Sequence, residues 1–256
     1  PSYSEQRVVK HQLIDICDPL EIYSAASFVE QASSLIHDIR AKGKVAVLAG
    51  GTMLYFKAFK HGLCDVLPVA PDVKKQASLL MQDTDKRWDF LQNIDPLMAS
   101  KLHPADTQRI QRAIEVFLST KVNLTTWQSN TKRSHDFNGE YVLLHPAERD
   151  IMHKRIETRF DSMLSDGLVQ EVEYLLKKSF VTLDLTYPSM RAIGYKQVWE
   201  YLHNIIDKDT MRESAIVATR RYFKRQCTWL KHWEHPYRSF ADVNSAKAYL
   251  TSLLQR

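Results

Sequence analysis

The sequence predicts an α/β protein in which a small all-helical unit interrupts a sheet-bearing core. Three observations predict it. VAVLAG (45–50) is a continuous apolar run of strand length, the pattern of a parallel strand covered on both faces. A long helix-patterned segment precedes it, so the pair reads as half of a βαβ unit. Between residues 67 and 133 the apolar residues recur at helical spacing.

In chain order, HQLIDI (11–16) reads as a short strand ended by Asp18-Pro19. YSAASFVEQASSLIHDIRAKG (23–43) reads as a helix with Ser24 at its N-cap and Gly43 just past its end. VAVLAG follows and runs into Gly50-Gly51-Thr52, at the carboxyl end of a strand, where open α/β sheets bind ligands. DVKKQASLLMQ, RWDFLQNI and DPLMASKLHPADTQRIQRAIEVFLST supply the helices of the insert, with breaks at Asp-Pro and His-Pro. SNTKRSHDFNGE (129–140) is polar and turn-rich, an exit from the insert. YVLLHP (141–146) is strand-like, residues 148–178 form one or two charged helices, and 211–233 form a helix with a basic, aromatic-studded end. The organisation expected is therefore a core of 1–66 and 134–256 with C-terminal helices, and a helical insertion domain of 67–133.

Composition limits the functional classes. The 256 residues are 44% hydrophobic with a net charge of +5, enough for a sizeable core and compatible with a polyanionic partner. Cys17, Cys64 and Cys227 are scattered, with no CxxC pair, which suits a reducing compartment. No apolar run approaches the roughly 18 residues of a membrane span, and no leader pattern opens the chain. A soluble, cytoplasmic protein is expected. The chain starts at Pro1 without methionine, which predicts a preceding segment.

Several short stretches carry candidate chemistry, and each has a plainer explanation. In Gly50-Gly51-Thr52 the glycines allow close backbone approach and the Thr52 hydroxyl can donate and accept; a turn capped by Thr52 would look the same. Arg155 and Arg159 in RIETRF lie four apart on one helix face and could clamp a diphosphate, or could pair with Glu148 or Glu157. Arg109 and Arg112 in QRIQR share a helical side, as surface salt-bridging residues also do. KRQCTWLKHW mixes Lys224, Arg225 and Lys231 with Trp229 and Trp233. That suits single-stranded nucleic acid, and equally an amphipathic helix with core tryptophans. His232 and His235 are too few for a metal site.

Together these stretches carry a resemblance that none carries alone. LIDICDPLEIYSAASF, AVLAGGTMLYFKAF, HPADTQRIQRAIEVF, RIETRFDSMLSDGLVQEV, MRAIGYKQVWEYL and ATRRYFKRQCTWLK stand in the order seen in tRNA dimethylallyltransferases, also called tRNA isopentenyltransferases. The resemblance covers about residues 8–233. It implies a P-loop kinase-like parallel-sheet core with an inserted helical domain. It also implies transfer of a dimethylallyl group from its diphosphate, with Mg²⁺, to N6 of the adenosine 3′ to the anticodon, position 37. The partner would be the anticodon stem-loop, and the protein a monomer.

Residue by residue, the resemblance places Arg159 on the diphosphate, with Arg155 beside it, and Thr52 on the tRNA near the target base. Further tRNA contacts fall on Lys74, on Gln108, Arg109, Ile110, Gln111 and Arg112, and on Arg191, Ala192, Ile193, Gly194, Tyr195 and Lys196. The last group is Lys224, Arg225, Gln226, Cys227, Thr228, Trp229, Leu230 and Lys231. A basic groove between core and insert is expected to hold the RNA. Family members open with a phosphate loop, GPTxxGK[ST], and an Asp-Ser motif carrying the general base, and Pro1 aligns just beyond them. The loop lysine and the base aspartate are thus not among these residues, and the 256 residues alone are expected to be inactive. Two other readings share the pattern in part: a nucleotide or nucleoside kinase on a similar core, which leaves the basic-aromatic helix unexplained, and a non-catalytic RNA-binding module.

Overall fold

A computed structural model describes residues 2–64, 69–131, 139–144, 148–178 and 181–254. They separate into two compact units, Pro1–Tyr55 with Asn138–Arg256, and Phe56–Phe137. The sequence-based limits of the insert, at 66/67 and 133/134, and most of the turn-rich exit segment lie outside the described residues.

The first unit opens with α1 (Tyr3–Val8), capped by Ser2, and α2 (Ala25–Ala41). The Ser24 hydroxyl accepts from the Ser27 amide, and Gly43 takes a φ of 67° past the helix end, as the sequence indicates. The two early strands do not form. Leu13 and Asp15 both have positive φ, which turns the backbone and rules out an extended HQLIDI. Residues 45–50 have no ladder, and Val45 and Val47 are 65% and 74% exposed. A strand needs a neighbour to hold its N–H and C=O groups, and no described strand lies beside this one. The segment ends at α3 (Met53–His61).

The second unit is all helical: α4 (Pro71–Met81), α5 (Thr84–Ile94), α6 (Pro96–Ala99), α7 (Thr107–Thr120) and α8 (Leu124–Ser129). Its core gathers Ala77, Leu91, Ile110, Ala113, Ile114 and Val116. The Asp95 carboxylate, 1% exposed, ties three helices together. It accepts from the Met98 amide at 3.0 Å, the Thr125 amide at 2.9 Å and the Thr125 hydroxyl at 2.7 Å.

The chain returns to the first unit at β1 (Val142–Leu144), where a strand was expected. Then come α9 (Arg149–Ser165) and α10 (Leu168–Lys178), two helices split at Asp166-Gly167. α11 (Tyr195–Leu202), α12 (Lys208–Lys231), β2 (Arg238–Phe240) and α13 (Val243–Leu254) complete it. β1 and β2 form a parallel pair with Val142 opposite Arg238. The α/β class therefore holds with a small parallel sheet. Most of this unit's core lies among α9, α10, α11 and α12, around Phe160, Val172, Met190, Val198, Met211 and Ala215. No helix among the described residues is long and apolar enough to cross a membrane.

Gly194 shows why the MRAIGYK stretch contains a glycine. It is buried at φ 97°, and its amide donates to the Gln197 side chain at 2.9 Å. Leu168, Phe160 and Met163 close around it at 3.6–3.9 Å from where a Cβ would stand. There is room for a methyl group, but an L-residue at that φ is strained by about 1–3 kcal/mol. Gly194→Ala should lose about that much stability in urea melts; an unchanged midpoint would show that the turn relaxes freely.

Candidate phosphate- and RNA-binding surface

Helix α9 carries three kinds of residue on three faces. Ile156 and Phe160 enter the core. Glu157 and Asp161 face α12, where Glu157 pairs with Arg220, and Asp161 receives two hydrogen bonds from Arg212 at 2.6 and 2.7 Å. The Arg212 guanidinium holds the Asp161 carboxyl below its ordinary range. This contribution to stability is therefore present above the usual carboxylate pKa and fades only as pH falls through the depressed value.

Arg155 and Arg159 each stand two residues from a paired acid. At 3.6 residues per turn that is about 200°, so both point away from α12. Both are exposed, and among the described residues neither forms an ion pair. The expected competitor Glu157 is already taken by Arg220. Two exposed guanidinium groups one turn apart are chemically suited to hold a phosphate.

The stretch 191–196 lies beside this face. Gly194 packs on Phe160, the residue after Arg159, and on Met163, one turn further along α9. Arg191 and Ala192 are exposed, Ile193 and Tyr195 half-buried, and Lys196 reaches Glu200 at 3.6 Å. The Tyr195 hydroxyl donates to Glu171, and its burial, with that carboxylate, raises its pKa far above the ordinary phenol value. Tyr195 thus fixes the segment to α10 and stays neutral. The Ser189 hydroxyl donates to the Pro19 carbonyl at 2.6 Å and ties the same loop to the Asp18-Pro19 turn.

The stretch 224–231 divides by face. Lys224, Arg225, Thr228 and Lys231 are exposed and, with Arg221, line one side of α12. Arg225 lies over the Tyr222 ring at 5.5 Å. Gln226, Cys227, Trp229 and Leu230 are half-buried. Gln226 is two residues from both Lys224 and Thr228, so it points inward, where its Nε2 donates to the Gly51 carbonyl at 2.7 Å. This contact joins α12 to the Gly-Gly-Thr turn. Thr52 is exposed there, and its carbonyl accepts from the Tyr55 amide at 2.9 Å. The inward role of Gln226 escaped the sequence reading, and its only trace there was an uncharged residue flanked at two-residue spacing by exposed ones.

In the second unit, Lys74 is exposed on α4. On α7, Gln108, Arg109 and Arg112 are exposed, Gln111 is half-buried and Ile110 is fully buried. Arg109 pairs with Asp106 at 2.8 Å and Arg112 with Glu115 at 3.9 Å, while Gln111 donates to Glu115 at 2.9 Å. The Arg109–Asp106 pair is largely open to solvent, and such pairs are worth about 0–1 kcal/mol, so a phosphate could displace it at little cost. Among the described residues no three His, Cys, Asp or Glu side chains gather to hold a metal.

The IPP transferase family model matches residues 1–233. The chain belongs to the IPP transferase family. A Legionella pneumophila (strain Corby) protein named tRNA dimethylallyltransferase is 43% identical over 238 residues, covering 91% of this chain and 75% of that protein. A Burkholderia lata protein of the same name is 44% identical over 239 residues, covering 90% and 72%. Among solved structures, the tRNA isopentenylpyrophosphate transferase of Bacillus halodurans superposes with a TM-score of 0.67 at 27% identity, covering all of this chain and 80% of that one. The likeness places the small parallel sheet and the helical unit in the P-loop-like α/β class.

Proposed function

We propose that this protein modifies tRNA by moving a dimethylallyl group from dimethylallyl diphosphate to N6 of the adenosine at position 37, 3′ to the anticodon. The names of the relatives support the reaction, and one observation supports the assignment of roles. Arg155 and Arg159 are exposed guanidinium groups left without carboxylate partners among the described residues, beside the 191–196 turn.

The chemistry asks for such a face. The N6 lone pair is delocalised into the purine ring, so the amine attacks C1 of the allyl group only as its proton passes to a general base, the part that the aspartate of the family's Asp-Ser motif would take. The new N–C bond forms as the C1–O bond breaks, and the electron pair leaves on the diphosphate. Arg159, with Arg155, meets that growing charge. Thr52 orients the target nucleotide, which must be turned out of its stack to reach C1. Lys224, Arg225 and Lys231, and on the other unit Lys74, Gln108, Arg109 and Arg112, hold backbone phosphates. Ile110 and Gly194 are buried and serve by shaping these segments rather than by touching RNA. Among the described residues no three His, Cys, Asp or Glu side chains gather, so Mg²⁺ would be held chiefly by the diphosphate oxygens and water, where it would neutralise the leaving group's charge.

A double-label incubation tests the reading against phosphoryl transfer. Enzyme that includes the family's phosphate loop and Asp-Ser motif receives unmodified tRNA together with dimethylallyl diphosphate labelled in the allyl carbon and γ-labelled ATP. Carbon label in the tRNA supports the reading; phosphate label in a nucleotide product with none in tRNA refutes it.

A further inference from the structure

We infer that Gln226 acts as a positioning residue for Thr52, holding the Gly51–Thr52 peptide against α12, rather than as a contact to RNA; the inference rests on the proposed tRNA reaction. Gln226 is half-buried, and its Nε2 donates to the Gly51 carbonyl at 2.7 Å across 175 positions of sequence. That carbonyl belongs to the same planar peptide group as the Thr52 amide. Fixing one therefore fixes the plane from which the Thr52 side chain projects. Gly51 is the counterpart of this grip. A Cβ at 51 would stand 2.3 Å from Nε2 and 3.5 Å from Cδ of Gln226, so only glycine allows the amide so close. The neighbouring cations Lys224 and Arg225 are exposed. The helix that offers charge outward thus sets, one residue further on, the orientation of the turn on its inner side.

The test uses enzyme active on unmodified tRNA. Gln226→Ala should lower kcat by about 10- to 100-fold, the loss expected when a group is misplaced by a fraction of an ångström to an ångström. The tRNA Kd should move by less than about threefold. Gly51→Ala should reproduce the defect by pushing the amide away. The double variant should be no worse than the weaker single one, because both changes remove the same contact. Gln226→Glu keeps the shape without the N–H donor and should behave like the alanine variant; it decides the matter if alanine impairs folding. Amide hydrogen exchange across residues 51–54 should accelerate in both position-226 variants. A direct RNA contact would instead raise the tRNA Kd at unchanged kcat, with Gly51→Ala indistinguishable from wild type, and that result overturns the inference. Unchanged exchange at 51–54 overturns it whatever the activity. Failure of the wild-type enzyme to prenylate any tRNA, with exchange accelerated as described, counts against the proposed reaction alone.

Discussion

Replacing Arg159 with alanine is expected to lower kcat by about 10²–10³ while leaving tRNA affinity within about threefold. The size follows from where charge grows. The diphosphate is bound in the ground state, but the C1–O bond delivers further negative charge to it only as the allyl group departs. A cation aimed at that oxygen therefore contributes more in the transition state than in the bound substrate. Arg159 is suited to this because nothing among the described residues neutralises it: the acids at 157 and 161 face α12 and pair with Arg220 and Arg212. Its side chain is exposed, so truncation should not disturb Phe160 and the core beside it. Single-turnover rates at saturating tRNA separate the outcomes. A variant that keeps its kcat but loses tRNA would move Arg159 from the diphosphate to the nucleic acid.

The second large effect is on binding. Converting Lys224, Arg225 and Lys231 together to alanine should weaken tRNA binding and flatten the dependence of log K on log salt by about one for each phosphate no longer neutralised. These residues lie on the exposed side of α12, while Trp229 and Leu230 are half-buried, so the substitutions remove charge and, beyond the Arg225–Tyr222 contact, little packing. Titrations at several salt concentrations, with a thermal melt to confirm folding, give the answer. An unchanged slope in a folded variant would take α12 out of the RNA surface and leave Lys74 and the exposed residues of 108–112 and 191–196 as the remaining grips.

What could be read from the sequence depended on how local the cause was. Helix α2 was legible to its ends, because Ser24 and Gly43 act through their own neighbours. The arginine pair on α9 was legible as a spacing. Its freedom from carboxylates was not, because that depends on Arg220 and Arg212, more than fifty residues away, claiming Glu157 and Asp161. HQLIDI failed as a strand because Leu13 and Asp15 take positive φ, which a short apolar stretch does not reveal. VAVLAG failed because apolar character describes a surface that wants covering, not a partner that covers it. β2 was missed since Arg-Ser-Phe has no strand signature of its own; it pairs because β1 offers an edge. The division of 224–231 into an exposed and an inward side needed the structure to say which face of α12 meets the rest of the unit.

The most direct measurement is the nucleoside content of tRNA after incubation with the active enzyme and dimethylallyl diphosphate. Unmodified tRNA with adenosine 3′ to its anticodon is digested to nucleosides and examined by mass spectrometry, alongside an RNA of the same sequence with guanosine in place of that adenosine. The account predicts one adenosine per tRNA carrying a dimethylallyl group on N6, and none in the guanosine-substituted RNA. Digests that contain no such nucleoside, or equal amounts of it from both RNAs, would contradict it.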